Sequence, residues 1–236
     1  MIHGGGWAAG NKEVHNAQTW QLVQAGFVSA TVGYRFAPKH VFPAQVQDVK
    51  CAVRFLRAHA KEYGINPDQV GAIGFSAGAH LSMMLGTMDK EDGLDDSGGS
   101  PAQSSKVQAV VSYFGPTDLA AEYPARTVEI FDKFFGGSKA QKSAEYKQAS
   151  PLTYVNKGDA PMLLFQGTND VLVPWMQAVE MVEAMQKAGV PGRAELLSGL
   201  GHGWGQPEMQ RTWDESVAFF KLHLKPQAQP KKVAGK

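Results

Sequence analysis

The chain has 236 residues, 43% of them hydrophobic and 19% charged, with 23 basic against 22 acidic side chains and a formal net charge of +1. That length suits a domain with a sizeable core, and the balanced charge excludes the basic footprint of a nucleic-acid binder. A lone cysteine, Cys51, excludes an internal disulfide framework and a cysteine-built zinc site, and no apolar run is long enough to span a membrane.

In chain order, the first chemical feature is His3-Gly4-Gly5-Gly6-Trp7, whose consecutive glycines let backbone N–H groups turn inward. Residues 27–32 (FVSATV) are β-branched and aromatic enough for a buried strand ended by Gly33. Pro43 opens an amphipathic helix in which Val46, Val49, Val53 and Leu56 recur at helical spacing, stopped by Gly64. An ion pair between Arg35 and Asp48 is expected near its start, and Cys51 is expected to be an inert buried thiol among core valines. Residues 70–75 form the next strand and 77–88 a helix directly after it. The polar stretch 89–105 reads as a mobile surface loop, residues 107–113 and 162–166 as buried strands, and 119–150 as a small, mostly helical insertion. A helix from Pro174 to Gly189, a strand over 193–197 and a helix over 209–224 close the domain. Strands alternating with helices imply an α/β fold, a mostly parallel sheet covered on both faces. One catalytic domain is expected over 1–225 and a disordered tail over 226–236, a stretch without core-forming residues.

Three segments carry hydrolytic chemistry. Gly74-Phe75-Ser76-Ala77-Gly78 lies between a predicted strand and a predicted helix, the context of a nucleophile elbow. A serine hydroxyl needs a base, and that base an orienting carboxylate. Gly167-Thr168-Asn169-Asp170 and Gly201-His202-Gly203 each follow a predicted strand, and the carboxyl ends of parallel strands converge on one sheet edge. Ser76 is therefore the expected nucleophile, Asp170 the acid and His202 the base, with Gly5, Gly6 and Ala77 donating the N–H groups of an oxyanion hole. Asp118 is the alternative acid, and His80, one turn beyond Ser76, is expected to be structural. Trp7, Trp175 and Trp204 flank the catalytic loops, where they either pack or form an aromatic wall for substrate. Phe131, Phe134 and Phe135 read as core or as a small lid. Metal-ligand and phosphate-loop spacings are absent, so no metal and no cofactor is expected.

HGGGW, YRFAP (Tyr34 to Pro38), GFSAG, GTNDVLVP and GHGW together resemble the α/β-hydrolase esterases of the hormone-sensitive-lipase-like group. The GFSAG and GTNDVLVP variants are most similar to its acetyl and feruloyl, carbohydrate-active branch. The resemblance implies a serine carboxylesterase acting on short-chain esters, with a small-molecule or carbohydrate ester as partner. Homo-oligomerisation stays open, and so does the compartment: the start of the chain carries no signal-peptide pattern, but an incomplete N-terminus is expected. An amide hydrolase of arylformamidase type is the alternative, and an inactive fragment or binding module the reading from another class. In the resembling fold HGGG follows a central strand, whereas here only Met1 and Ile2 precede it. The expected sheet therefore lacks its N-terminal strands, leaving unpaired backbone beside 27–32 and 70–75, and the chain is expected to be an N-terminally incomplete member of the family or one whose missing strand is replaced by another chain.

Overall fold

The computed structural model describes residues 1–95 and 98–224; the tail expected at 226–236 lies outside the described residues. Four strands form one sheet in the order β1 (Gly71–Phe75), β2 (Ala109–Tyr113), β3 (Met162–Gly167), β4 (Gly192–Leu197), with every neighbouring pair parallel. The helices are α1 (Asn16–Gln24), α2 (Ala44–Ala58), α3 (Ala60–Tyr63), α4 (Ala77–Thr87), α5 (Ala125–Phe135), α6 (Ser143–Gln148), α7 (Met176–Ala188) and α8 (Glu208–His223).

Alternation along each strand divides the core in two. Ala72, Val110, Met162 and Leu164 face a cluster built with Val46, Val49 and Val53 of α2, Leu81 and Leu85 of α4 and Met181 and Met185 of α7. Ile73, Val111, Tyr113, Leu163 and Phe165 face Leu22 of α1 with Trp213 and Phe220 of α8. β1 and β2 are apolar on both sides, as is β3 up to Phe165, because helices cover both faces, whereas β4 carries Arg193 and Glu195 in ion pairs with α8. Phe131, Phe134 and Phe135 of α5 join the first cluster and are buried, so they belong to the core and are not an exposed lid.

Several boundaries differ from the sequence reading. The helix expected from Pro43 to Gly64 is interrupted at His59, between α2 and α3. The nine-residue α1 carries only one buried residue, Leu22, so its apolar periodicity is faint. The stretch 27–32 contains no regular strand; Val32 makes a single parallel bridge to Ile2, and Ile2 makes another to Gly74. Ile2 thus holds the central position for one residue pair on each side. Its N–H donates to the Ile73 carbonyl at 2.8 Å, and the Val32 N–H donates to the Met1 carbonyl at 2.9 Å. With pairing limited to that point, 27–31 has no ladder to hold it as a strand. An apolar cavity of about 130 Å³, lined among others by Phe27, Ala30, Ile73 and Phe220, lies beside Met1 between the two segments.

The stretch expected to be a mobile loop is tied at several points. Lys50 and Arg54 of α2, both buried, reach Asp95 at 3.1 and 2.6 Å, and Lys106 bridges Asp89 and Asp159 at 2.7 Å each. A buried cation requires a paired carboxylate, so the acidic character of this loop answers the basic underside of α2. Cys51 is half-buried on α2, not buried as expected. The Arg35–Asp48 ion pair forms as expected, at 2.8 Å.

Candidate active site

β1 ends at Phe75 and α4 begins at Ala77, leaving Ser76 as the single residue of the turn, at φ 52° and ψ −118°. A non-glycine residue at such angles is strained, and the strain lifts the side chain clear of the sheet edge. The Ser76 N–H donates to the Tyr113 carbonyl at 2.8 Å, which ties the turn to β2. Gly78, on the first turn of α4, lies against the Ile2 and His3 backbone, and any Cβ there would collide with both carbonyl oxygens. The glycine-rich loop and the serine turn are therefore in direct backbone contact.

His202 follows β4 and Asp170 follows β3. The structure brings them together with Ser76 in one hydrogen-bonded chain: His202 Nε2 lies 2.8 Å from Ser76 Oγ, and His202 Nδ1 lies 2.8 Å from Asp170 Oδ2. Asp170 can only accept, so Nδ1 carries the proton and Nε2 is free to take one from the serine. The Asp170 side chain is wholly buried. Burial pulls its pKa upward, but the His202 hydrogen bond and the N–H groups of Val173 and Leu172 outweigh that and hold it below the usual carboxylate range. The acid therefore stays ionised beside the imidazole. Phe114, itself at φ 44°, places its ring edge-on to His202 at 4.7 Å between centroids.

The loop after His3 is shaped for close approach. Gly5 has φ 116°, which an L side chain rarely adopts, and its carbonyl accepts the N–H groups of Ala8 and Ala9 at 3.1 and 3.0 Å. That closure turns the loop back on itself, while the N–H groups of Gly5 and Gly6 find no acceptor among the described residues. The N–H of Ala77, the first residue of α4, points out of the helix start in the same way. Ile130 of α5 packs against Gly6, where a Cβ would come within 3.0 Å of its methyl group. The same helix reaches the acid loop, for Thr127 Oγ1 donates to the Leu172 carbonyl at 2.7 Å.

The three tryptophans separate. Trp7 is 2% exposed and stacks on Phe134 at 4.3 Å, so its position is explained by packing and it presents no face to substrate. Trp204 donates to Thr212 Oγ1 at 3.2 Å and lies edge-on to Phe114, a layer behind the histidine. Trp175, at the start of α7, is 40% exposed and keeps a free surface close in sequence to Asp170. Asp118 accepts from Ala120 N and Ser150 Oγ, bonds that shape the start of the insertion. His80 is fully buried; its Nε2 donates to the Ala149 carbonyl at 2.6 Å, so Nδ1 must accept the Trp7 indole N–H at 3.2 Å. It thereby braces the residue after the glycine loop against α4. Groups able to hold a metal ion are absent among the described residues.

Burial pushes the His80 and His15 pKa values down to about 4 and that of the Met1 amine to about 5. Between pH 8 and 5 for the amine, and between pH 6.5 and 4 for the histidines, the unfolded chain thus binds protons that the folded chain refuses, so stability falls as the pH is lowered through both windows. The fully buried His80 alone accounts for on the order of 2–3 kcal/mol. Denaturant midpoints are expected to drop steadily from pH 7 to pH 4.5. A flat profile would show that His80 is accessible to protons in the folded state.

The BD-FAE family model matches residues 1–185. The chain belongs to the BD-FAE family. Among curated proteins, this BD-FAE chain is 31% identical over 193 residues to the probable carboxylic ester hydrolase LipM of Mycobacterium tuberculosis, covering 79% of the chain and 44% of LipM. It is 29% identical over 230 residues to esterase LipC of the same organism, covering 93% of the chain and 56% of LipC. The chain thus spans about half the length of these curated relatives. Among solved structures it superposes on a truncated carbohydrate esterase from gut microbiota with a TM-score of 0.83 at 29% identity, covering 94% of the chain and 84% of that structure. It also superposes on the propionate-bound Est2 esterase of Thermogutta terrifontis with a TM-score of 0.77 at 25% identity, covering 96% and 84%. The BD-FAE chain accordingly has the α/β-hydrolase fold of these esterases.

Proposed function

We propose that residues 1–225 form the catalytic domain of a serine carboxylesterase that hydrolyses short-chain acyl esters, with acetylated or feruloylated carbohydrate as the substrate class. The observation that carries the reading is the unbroken chain from Ser76 Oγ through His202 to a buried, ionised Asp170, with 2.8 Å at both links. Membership of the BD-FAE family and similarity to named ester hydrolases support the same chemistry. The carbohydrate esterase neighbour and the propionate-bound neighbour support a short acyl group on a sugar-like alcohol.

In this reading Ser76 Oγ attacks the ester carbonyl as its proton passes to His202 Nε2. Negative charge builds on the carbonyl oxygen, which the N–H groups of Gly5, Gly6 and Ala77 meet; one such donor is worth about 10²–10³ in rate. Collapse of the tetrahedral species breaks the ester C–O bond, and the alcohol leaves with the proton from His202. Water then gives a proton to His202 and attacks the Ser76 acyl group, releasing the acid and restoring the serine. Trp175 is assigned to substrate contact through its exposed ring, whereas Trp7 and Trp204 support the loops from behind.

The test is a substrate panel: acetyl, butyryl and feruloyl chromogenic esters, acetylated xylan, and a formylated aromatic amine as the amide. Turnover of the acetyl esters above the others is expected. Preference for the formylated amine over every ester would overturn the reading in favour of an amide hydrolase. Absence of turnover, together with no labelling by a serine-reactive phosphonate, would overturn it in favour of a binding module.

A further inference from the structure

We infer that Gln166 is a positioning residue that acts on His202 through Asp170, an assignment that rests on the serine-esterase reading above. β3 is apolar from Met162 to Phe165, and Gln166 interrupts it with an amide that is 1% exposed. A buried amide is costly unless its donors are bonded. Here Nε2 lies 2.8 Å from Asp170 Oδ2 and 3.0 Å from the Val173 carbonyl. Both neighbours are acceptors, so the amide has one permitted orientation, with its NH₂ group toward the acid loop; the flipped form would set oxygen against two oxygens.

The consequence for the carboxylate follows from counting its partners. Oδ1 accepts the N–H groups of Leu172 and Val173 at 2.8 and 2.9 Å, and Oδ2 accepts His202 Nδ1 and Gln166 Nε2. Three of the four donors are fixed to the backbone or to the end of a sheet strand, and only His202 belongs to the reacting system. The two backbone donors hold one oxygen. Gln166 alone holds the other when the imidazole moves, which fixes the rotation of the carboxylate plane and aims the remaining lone pair at Nδ1. Because the same NH₂ group bonds the Val173 carbonyl, Gln166 also closes the loop that carries Asp170 onto the rigid end of β3. Other polar residues of the site either belong to the reacting chain or bond away from it, as Asp118 and His80 do.

The variant Gln166→Met keeps the length and apolar stem while deleting both hydrogen bonds. We expect kcat for a short-chain acetate ester to fall about 10-fold with KM within about twofold. The far-downfield proton resonance of His202 Nδ1–H should move and exchange faster with water. Gln166→Leu, which also deletes both hydrogen bonds with a shorter apolar side chain, should lower kcat to a similar extent with the same spectroscopic change, and it decides the matter if Gln166→Met fails to fold. Wild-type kcat with an unmoved resonance in a folded variant would overturn the assignment. So would a rise in KM at constant kcat. If the wild-type protein itself hydrolyses no ester, the esterase reading fails, and the resonance alone still decides whether Gln166 positions the Asp170–His202 pair.

Discussion

Ser76→Ala is expected to lower kcat on an acetate ester by about 10⁴–10⁶-fold while leaving the protein folded. The size follows from chemistry, because alanine supplies no nucleophile and His202 is left without a proton to take. What survives is binding and the N–H groups around the carbonyl oxygen, which still favour attack by water to a small extent. That the fold survives follows from local structure. The Ser76 hydroxyl makes one hydrogen bond, to His202, and the turn is held by its backbone N–H on the Tyr113 carbonyl, which alanine retains. Alanine and serine also bear similar strain at φ 52°. The measurement pairs initial rates with thermal unfolding, and adds mass spectrometry after treatment with a phosphonate, which should mark the wild type at Ser76 alone. A folded Ser76→Ala protein with undiminished turnover would refute the nucleophile assignment outright.

Asp170→Asn is expected to lower kcat by about 10⁴-fold near neutral pH. The substitution is isosteric, so the loss comes from proton placement. The two N–H groups of Leu172 and Val173 point at Oδ1 and will claim the asparagine carbonyl oxygen. The amide NH₂ is then left at the place of Oδ2, facing His202 Nδ1–H and the Gln166 NH₂ group, both donors. His202 relieves the conflict by carrying its proton on Nε2 instead, and in that tautomer it cannot accept a proton from Ser76. The crowded donors at Gln166 should also cost stability, which a lowered unfolding midpoint would register. Retention of more than about a tenth of the wild-type kcat would mean that the Asp170 charge does not govern the imidazole tautomer.

The residues of the proposed triad were legible because their signals are local. A serine between a short apolar run and an amphipathic run, with glycine on either side, describes one turn of backbone, and Gly78 against Ile2 and His3 explains the second glycine physically. Asp170 and His202 each follow a predicted strand by a few residues, so a parallel sheet brings them to the same edge without further information. What escaped depends on partners distant in sequence. Trp7 beside the glycine loop could be wall or core, and its stacking on Phe134 of the insertion settles it as core. The stretch 27–32 has the composition of a strand, yet strands need pairing along their length, and Ile2 supplies one position. The weak amphipathicity of α1, with a single buried residue, gave no periodic signal. Gln166 did leave a trace, a lone amide in an otherwise apolar strand, but only the position of Asp170 Oδ2 gives that amide a purpose.

The insertion helix α5 touches both the glycine loop and the acid loop of the proposed site, through Ile130 on Gly6 and Thr127 on the Leu172 carbonyl. Variation within it therefore divides into two classes for anyone building substrate-scope libraries. Changes at Ile130 bear on the glycine loop and changes at Thr127 on the acid loop, so each disturbs one side of the proposed site. Val128 sits between them in sequence with 39% of its surface exposed. A library confined to that position and its exposed neighbour Glu129 leaves both of those contacts in place.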